Sequence, residues 1–201
     1  MFISFEGTEG VGKTTLIRRI FERLQAQGHE VILTREPGGT PMAEQIRGLL
    51  LSVNHDEAMS NDTELLLMYA ARAQHLEHVI LPALAAGKTV LCDRFVDASF
   101  AYQCAGRGLS AEKLDLLNQN FVSRMPNLTF WLDAPIELGM SRARARGELD
   151  RFEQEKAHFF EKVRAGYAQI FNAQPERMKR LDATQLPEQV FEAAMQYIQA
   201  Q

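Results

Sequence analysis

The feature that most constrains this chain is a glycine-rich run at residues 7–14, close to the N-terminus. It matches the pattern G-x-x-x-x-G-K-[ST] at every fixed position. The run follows an apolar, strand-like segment, Phe2 to Glu6, and precedes an amphipathic helix predicted from about Lys13 to Gln27. A glycine-rich turn could match by chance, but the flanking strand and helix supply the context that a phosphate-binding loop requires. The run therefore predicts a P-loop.

The chemistry of this loop depends on its backbone as much as on its side chains. Glycines let successive N–H groups turn inward toward phosphate oxygens, and the following helix adds its positive end. Lys13 is then placed to reach the β- and γ-phosphates of ATP, and the Thr14 hydroxyl to ligate Mg²⁺. The residues predicted to bind ATP are Gly7, Thr8, Glu9, Gly10, Val11, Gly12, Lys13, Thr14 and Thr15.

Strand-like and helical patterns alternate along the remaining chain. Four more strands are predicted at Glu30 to Thr34, Thr89 to Cys92, Leu128 to Leu132 and Met178 to Leu181. Helices are predicted at about Met42 to Leu51, Thr63 to Ala86, Ala111 to Val122, Ile136 to Arg146, Gln154 to Phe171 and Pro187 to Gln199. This alternation predicts an α/β P-loop NTPase fold: one domain with a five-stranded parallel sheet, helices on both faces and a small lid.

Two details of the long helix at about Thr63 to Ala86 depend on single residues. Asn61 or Asp62 is the predicted N-cap, and the sequence does not choose between them. Pro82 is expected to kink or divide the helix, because it lacks a backbone N–H and clashes with the preceding turn.

Composition narrows the class of protein further. The net charge of −4 over 201 residues argues against a general nucleic-acid-binding surface. No apolar run approaches the roughly 20 residues of a membrane span, and the N-terminus lacks a signal-peptide pattern. The two cysteines, Cys92 and Cys104, show no metal-ligand spacing. A cytoplasmic enzyme with no membrane or nucleic-acid partner is expected.

Two absent features favour a small-molecule kinase over the other P-loop classes, and three further segments decide among these kinases. The chain has no Asn-Lys-x-Asp motif for guanine, and it is short for an ATP-driven machine. The run Thr34-Arg35-Glu36-Pro37-Gly38-Gly39-Thr40 follows the second strand, and Asp93-Arg94-Phe95 follows the third. Both begin at carboxyl ends of strands, where open α/β sheets bind ligands. An arginine-rich run, residues 142–151, ends the helix after the fourth strand.

Together these segments resemble thymidylate kinase of the bacterial type, which has an acidic P-loop residue and arginines in its lid. The resemblance runs from the first strand to about Glu155, and Asp182-Ala183-Thr184 looks like the family's loop beside the adenine. It implies transfer of the γ-phosphate of ATP to dTMP, with Mg²⁺, giving ADP and dTDP. It also implies a homodimer, which we expect to form through apolar helix faces around Leu65 to Leu81.

The resemblance also implies roles for individual residues. Glu9 should contact the sugar 3′-hydroxyl, Arg94 the acceptor phosphate and Arg72 the thymine edge, while Asp93 should join Thr14 near Mg²⁺. The residues expected to bind dTMP are Glu9, Arg35, Pro37, Met68, Tyr69, Arg72, Arg94, Ser99, Tyr102 and Gln103. Two positions depart from the family pattern: Met68 stands where phenylalanine is common, and Cys104 where glycine is usual.

The lid and two histidines complete the predictions. Arginines of the lid, about residues 142–155, would neutralise charge on the transferring group as the lid closes. The predicted catalytic residues are Lys13, Arg94, Arg146 and Arg151, with Arg142 as a further candidate. His75 and His78 lie three residues apart on the long helix, but no third ligand is suitably spaced, so both are interpreted as surface histidines.

Two other functions remain open from the residues alone. A kinase of a different nucleoside monophosphate is the nearest, because Met68 alters the expected base pocket. A nucleotide-dependent switch with no acceptor is the other, and added dTMP would not change its slow hydrolysis of nucleotide.

Overall fold

The computed structural model describes residues 1–54, 56–145 and 150–200. Five parallel strands form one sheet in the order β2-β3-β1-β4-β5, which confirms the predicted fold. The strands are β1 (Phe2–Glu6), β2 (Val31–Arg35), β3 (Thr89–Asp93), β4 (Leu128–Asp133) and β5 (Met178–Asp182). Strand β1 lies at the centre and is buried along its whole length, as expected of a strand covered on both faces.

Helices flank the strands along the chain. They are α1 (Lys13–Ala26), α2 (Pro41–Leu51), α3 (Asn61–His75), α4 (Leu81–Ala85), α5 (Val96–Ser99), α6 (Ala111–Phe121), α7 (Ile136–Arg144), α8 (Ala157–Ala173) and α9 (Pro187–Gln199). One apolar core joins α1 and α9 to the sheet, and a second packs α8 against Trp131 and Tyr102. Within the described residues, every helix falls short of the length and apolarity needed to cross a lipid bilayer.

The predicted long helix is helical almost throughout, but its hydrogen-bond pattern changes along its length. Helix α3 ends at His75, a π-helical turn covers Leu76–Ile80, and α4 follows. Pro82 is the second residue of α4, so the wider turn lies directly before it. A proline N has no hydrogen to donate to the carbonyl four residues earlier, and a π-turn accommodates that missing bond. The division expected at Pro82 is therefore a change of helix type.

The predicted N-cap of α3 was wrong. Neither Asn61 nor Asp62 caps the helix; the Ser60 hydroxyl accepts from the Thr63 backbone N–H at 3.1 Å. Ser60 has the extended backbone that an N-cap needs, whereas Asn61 is already helical. Asp62 instead accepts from Lys113 on α6 at 2.8 Å.

One helical segment was absent from the sequence predictions. Helix α5 continues into a π-helical segment, Phe100–Gly106, that packs tightly against α8. A Cβ on Gly106 would lie 2.6 Å from Phe159, and one on Gly166 would lie 2.7 Å from Ala105. Because this segment contacts protein on several sides, its sequence lacks the apolar stripe by which a surface helix is recognised.

Candidate active site

The P-loop connects β1 to α1 at the carboxyl edge of the sheet. Its turns place Gly7, Gly10 and Gly12 at φ values of 137°, 69° and 92°, which residues with a Cβ rarely adopt. The Lys13 ammonium donates to the carbonyls of Gly7 at 3.1 Å and Thr8 at 2.9 Å. Burial, with Arg94 nearby, lowers the pKa of Lys13. The predicted loop and its lysine therefore lie at the site.

Glu9 and Arg94 form the centre of the site. Their side chains make an ion pair, and the Tyr102 hydroxyl donates to the same Glu9 oxygen at 2.9 Å. The Arg94 guanidinium also lies 4.8 Å from the centre of the Tyr102 ring. Arg94 and Tyr102 thus both contact the Glu9 carboxylate, and all three residues were predicted to contact the acceptor.

The backbone of Arg94 is unusual, with a φ of 68°. This left-handed conformation is uncommon for a residue with a side chain and clusters at functional sites. The Arg94 guanidinium donates to the Gly7 carbonyl at 2.9 Å and to the Tyr167 hydroxyl at 3.3 Å. Arg94 therefore connects the P-loop to α8.

The buried carboxyl group of Glu6 contacts two neighbours of Arg94. Glu6 accepts from the Phe95 backbone N–H at 2.7 Å and from the Tyr167 hydroxyl at 2.9 Å. Burial and the nearby Asp97 raise the pKa of Glu6 from 4.5 to about 8. Glu6 thus holds both the residue after Arg94 and the tyrosine that Arg94 contacts.

Asp93 is the last residue of β3, and one of its carboxylate oxygens has an unusual environment. Its Oδ1 is buried and has no hydrogen-bond partner among the described residues. A buried carboxylate oxygen without a donor is costly unless a cation or water satisfies it. Asp93 lines the same cavity as Thr14, so a carboxylate and a hydroxyl face one space. These are hard oxygen ligands, the kind that Mg²⁺ prefers, and they fit that ion.

A cavity of about 660 Å³, called the larger cavity below, is lined by the P-loop. Its lining includes the start of α1 and, from the loop after β5, Ala183 and Gln185. Its cationic residues are Lys13, Arg19, Arg35, Arg47, Arg94 and Arg142, and its acidic residues are Glu9, Glu36, Asp93, Asp150 and Glu153. A concave site so rich in cations suits a polyphosphate.

The smaller cavity, of about 100 Å³, adjoins the larger one. Glu9, Glu36, Arg47, Arg94 and Asp150 line both. Of the residues predicted to bind the acceptor, those lining the smaller cavity are Glu9, Pro37, Met68, Arg72, Arg94, Ser99, Tyr102 and Gln103. Arg35 lines the larger cavity instead.

Three hydrogen bonds fix the Arg72 side chain in the smaller cavity. It donates to Glu36 at 2.7 Å, to the Ser99 hydroxyl at 3.1 Å and to the Phe95 carbonyl at 3.1 Å. It is buried, and its guanidinium lies 4.7 Å from the centre of the Tyr69 ring.

Tyr69 lies outside the smaller cavity. Its ring packs with Leu65 and Leu114 between α3 and α6, and its hydroxyl donates to Asn118 at 2.7 Å. Burial raises the pKa of Tyr69 to about 12. Met68 therefore lines this part of the smaller cavity, while the Tyr69 ring packs against the Arg72 guanidinium outside it.

The interpretation of His75 as a surface histidine was wrong. His75 is fully buried, and its Nδ1 lies 2.9 Å from Glu36. His78, three residues further along the chain, is exposed as predicted. His75 was misread because its partner lies on a different element, after β2.

The lid arginines divide among three situations. Arg142 lines the larger cavity. Arg151 lines neither cavity; it pairs with Glu64 at 2.7 Å and donates to the Leu50 carbonyl at 2.6 Å. Arg146 lies outside the described residues, so its predicted role stays a prediction.

Several site residues were absent from the sequence predictions. Glu36, Arg47 and Phe152 line the smaller cavity, and Glu6 and Tyr167 support Arg94. Arg47 offered a signal, since it is the only cation of α2 and follows the turn-rich segment after β2. Tyr167 offered none, because its position opposite Arg94 depends on the packing of α8.

Comparison with known proteins decides the family. The family model for thymidylate kinase matches residues 5–194. This chain belongs to the thymidylate kinase family. A thymidylate kinase of Acinetobacter baumannii (strain SDF) is 75% identical over 198 residues, covering 98% of this chain and 100% of the relative. One from Psychrobacter sp. (strain PRwf-1) is 52% identical, covering 100% of this chain and 97% of the relative.

A solved structure agrees. The crystal structure of thymidylate kinase from Ehrlichia chaffeensis matches with a TM-score of 0.80 and 31% identity, covering 98% of each chain. As a member of the thymidylate kinase family, the enzyme transfers the γ-phosphate of ATP to dTMP, giving ADP and dTDP. The switch without an acceptor is therefore excluded, and the confirmed activity is that implied by the segments around Arg35, Asp93 and the P-loop.

Proposed function

We propose that ATP binds in the larger cavity and dTMP in the smaller one, with the phosphoryl group passing between them beside Glu9 and Arg94. The supporting observation is that both residues line both cavities, at the carboxyl edge of a parallel sheet, where such folds bind ligands. The attacking phosphate oxygen of dTMP is already anionic, so no strong general base is needed. Catalysis then depends on positioning and on neutralising charge.

On the donor side, residues 7–15 hold the phosphates of ATP. Lys13 provides the charge that follows the transferring group, and the carbonyls of Gly7 and Thr8 hold its ammonium at the loop. Adenine lies toward the loop that contains Ala183 and Gln185, consistent with their place in the cavity lining.

Mg²⁺ is the proposed cofactor, held by Asp93 and the Thr14 hydroxyl. The Asp93 Oδ1 supports this, because it is buried without a hydrogen-bond donor from the described residues and such an oxygen is suited to a cation. Bound there, Mg²⁺ would neutralise charge on the donor phosphates.

On the acceptor side, Arg94 binds the phosphate of dTMP and Glu9 accepts from its 3′-hydroxyl. Arg35 and Arg47 add positive charge near the acceptor phosphate. Arg72 donates to the thymine edge, while Ser99, Tyr102, Gln103, Pro37 and Met68 shape the pocket around base and sugar. A Tyr102 ring beside the sugar leaves little room for a 2′-hydroxyl, which favours deoxyribose.

The lid, at about residues 142–155, belongs to the same proposed domain as the rest of residues 1–201. Arg146 is the leading candidate to meet the transferring charge. Arg142 supports that role from the larger cavity. Arg151 is the weaker candidate, because Glu64 already engages its guanidinium.

The proposed assembly is a homodimer through α3 and α6. Leu65, Leu76 and Ile80 are core residues, whereas Leu66, Leu116 and Phe121 are 58%, 62% and 52% exposed. The contacts Asp62–Lys113 and Tyr69–Asn118 advance together along both helices, so the helices run in the same direction. Leu66 and Leu116 are exposed apolar residues on these two adjacent helices, and a second copy bound there would cover them.

The proposed compartment is the cytoplasm. Both cysteines, Cys92 and Cys104, are free thiols, as is usual for a reducing compartment.

The donor roles are tested by Lys13→Ala, with Lys162→Ala on the exposed side of α8 as control. Removing a cation that stabilises the transition state should lower kcat by about 10²-fold or more. The circular dichroism spectrum and the control should stay unchanged. ADP formation at the wild-type rate by folded Lys13→Ala would overturn the donor assignment.

The Mg²⁺ assignment is tested separately by Asp93→Asn. This change keeps the shape of the side chain and removes its charge. The Mg²⁺ concentration that gives half-maximal rate should rise at least tenfold, while the KM for dTMP changes little. An unchanged Mg²⁺ requirement would remove Asp93 from the metal site.

A further inference from the structure

A hydrogen-bonded chain of four buried or partly buried side chains leads from β2 to the acceptor cavity. The Thr34 Oγ1 lies 2.5 Å from His75 Nε2, and His75 Nδ1 lies 2.9 Å from Glu36 Oε1. The second oxygen of Glu36 accepts from Arg72 Nε at 2.7 Å. Since a carboxylate only accepts, the His75 Nδ1 carries a proton, and in the neutral ring Nε2 accepts from the threonine hydroxyl.

The imidazole in this chain is closely confined. The side chains of His75, Glu36 and Arg72 are 0%, 4% and 3% exposed. A Cβ on Gly39 would lie 2.5 Å from two atoms of the His75 ring and 2.7 Å from the Thr34 hydroxyl oxygen. Only a glycine fits there, at a φ of 88°, so the turn after β2 covers the ring directly. His75 therefore has one orientation, with its N–H aimed at Glu36.

Glu36 is fixed because its two oxygens have different partners. One oxygen accepts from His75 and the other from Arg72. Without the histidine, the first oxygen would be left buried with no donor. The carboxylate would then turn to find another partner, and its bond to Arg72 Nε would turn with it.

Arg72 has donors left for a ligand. A guanidinium has five N–H donors, and bonds to Glu36, Ser99 and Phe95 use one each. With respect to the described residues, two donors remain on a side chain that lines the acceptor cavity. Their direction depends on the plane of the guanidinium, and Glu36 sets that plane through Nε.

We propose that His75 is a positioning residue for recognition of the acceptor base, acting through Glu36 to hold the free donors of Arg72 toward the pyrimidine. This inference rests on the proposed function, in which Arg72 contacts the thymine edge. It separates His75 from the P-loop, whose residues it does not contact. Acceptor binding and selection should therefore depend on His75, and ATP binding should not.

The experiment measures kcat and KM for dTMP, dUMP, dCMP and ATP in matched variants. His75→Phe keeps a ring but removes both bonds, whereas His75→Asn keeps an N–H donor near the position of Nδ1. His78→Phe and His78→Asn make the same changes at the exposed histidine. Thr34→Val removes only the hydroxyl that contacts Nε2. Thermal unfolding of each variant is recorded alongside.

His75→Phe is expected to raise the KM for dTMP roughly tenfold, the loss of about one hydrogen bond to a charged group, with the KM for ATP unchanged. The preference for dTMP over dCMP should shrink in the same variant. His75→Asn should recover most of the loss, Thr34→Val should raise the KM for dTMP a few-fold, and the His78 variants should behave as wild type. A merely structural role would lower stability without this split between the two substrates.

Equal changes in both KM values, or no recovery in His75→Asn, would overturn the inference. If His75→Phe does not fold, Thr34→Val decides: a rise confined to the KM for dTMP supports the inference, and no such rise overturns it. Arg72→Lys separates the two levels of proposal. If Arg72→Lys leaves dTMP kinetics unchanged, the base-reading role of Arg72 fails; if it impairs them while the His75 variants do not, only the inference fails.

Discussion

Gly10 of the P-loop and Gly139 of α7 bring their backbones into direct contact. A Cβ on Gly10 would lie 2.0 Å from the Gly139 carbonyl oxygen, and one on Gly139 would lie 2.4 Å from the Glu9 carbonyl oxygen. Contacts this short leave no room for a side chain on either residue. The P-loop backbone therefore packs directly against α7, the helix that leads into the lid.

Gly139→Ala should disturb this contact between α7 and the P-loop. Alanine is normally better than glycine inside a helix by about 0.5–1 kcal/mol, but here its methyl group would displace the Glu9 carbonyl. We expect the free energy of unfolding to fall by about 1–3 kcal/mol and the KM for ATP to rise. Chemical denaturation and steady-state kinetics measure the two effects.

Gly48→Ala on α2 is the matched control, because a Cβ there meets nothing within 4 Å. It should be neutral or stabilising by about 0.5–1 kcal/mol. If Gly139→Ala behaves like Gly48→Ala, the P-loop can move away from α7 without cost.

The predicted site residues that line the two cavities lie in segments whose chemistry is local. The P-loop and the segments after β2 and β3 each carry their function in a few consecutive residues, so a single run was enough to indicate them. The errors concern contacts between distant elements. His75 meets Glu36 across 39 positions, and one polar residue on a helix gives no sign that such a partner exists.

Tyr69 and the segment around Tyr102 show two other limits of sequence patterns. Tyr69 was assigned to the base pocket because it lies close in sequence to Met68 and Arg72. Helical geometry instead turns Tyr69 toward α6, while Arg72, three residues on, reaches past its ring. The helix that carries Ser99 and Tyr102 was missed because it packs on several sides and has no polar face.

Arg151 and Glu64 should couple in stability. Glu64 is buried and also accepts from Arg107 at 3.2 Å and from Gln103 at 2.9 Å. Arg151→Ala and Glu64→Gln should each lower the free energy of unfolding. The loss in the double variant should be smaller than the sum of the two single losses by about 0.5–3 kcal/mol. Urea denaturation of the four proteins in this cycle measures the coupling.

Comparing Arg146→Ala with Arg151→Ala distinguishes a catalytic lid arginine from one that stabilises the fold. Arg146→Ala should lower kcat much more than it raises the KM of either nucleotide, because its predicted role is to meet charge that develops during transfer. Arg151→Ala should affect stability first. A loss of kcat in Arg151→Ala that exceeds the loss in Arg146→Ala would make Arg151 the catalytic lid residue.

Met68 should set the discrimination between dTMP and dUMP. It lines the smaller cavity and packs against the aromatic core around Tyr102, so the methyl group of dTMP bound as proposed would have an apolar neighbour. One methyl group in such a pocket is worth about 1–3 kcal/mol. Met68→Ala should reduce the dTMP to dUMP ratio of kcat/KM, and Met42→Ala, at a methionine that is 56% exposed, should leave it unchanged.

Discrimination against dCMP should have a different origin. Arg72 presents N–H donors, and cytosine presents an amino donor where thymine has a carbonyl, so two donors oppose each other. Wild-type enzyme should therefore prefer dTMP over dUMP, and both over dCMP and purine monophosphates. Equal kcat/KM for dCMP and dTMP would contradict the assignment of the smaller cavity to thymine.

Glu6 should make stability depend on pH. Its pKa is about 8 in the folded enzyme, against an ordinary value of 4.5, so the folded state holds a proton that the unfolded state releases between these values. The folded enzyme binds more protons in this range, and its free energy of unfolding therefore falls as pH rises. The contribution of Glu6 is fully present below pH 4.5 and is lost as pH rises through about 8.

Glu6→Gln isolates this effect because it keeps the shape of a neutral carboxyl group. Its amide oxygen can still accept from the Phe95 N–H. Between about pH 5 and pH 8, wild-type enzyme should lose stability relative to Glu6→Gln, by a few kcal/mol at most. Glu192→Gln, at an exposed carboxylate on α9, is the control. Denaturation at each pH measures the difference, and a wild-type enzyme that gains stability relative to Glu6→Gln as pH rises would show that Glu6 is ionised in the folded state. In that case Glu6 would hold Tyr167 and the backbone beside Arg94 as a carboxylate, and its charge would be balanced by the Arg94 guanidinium.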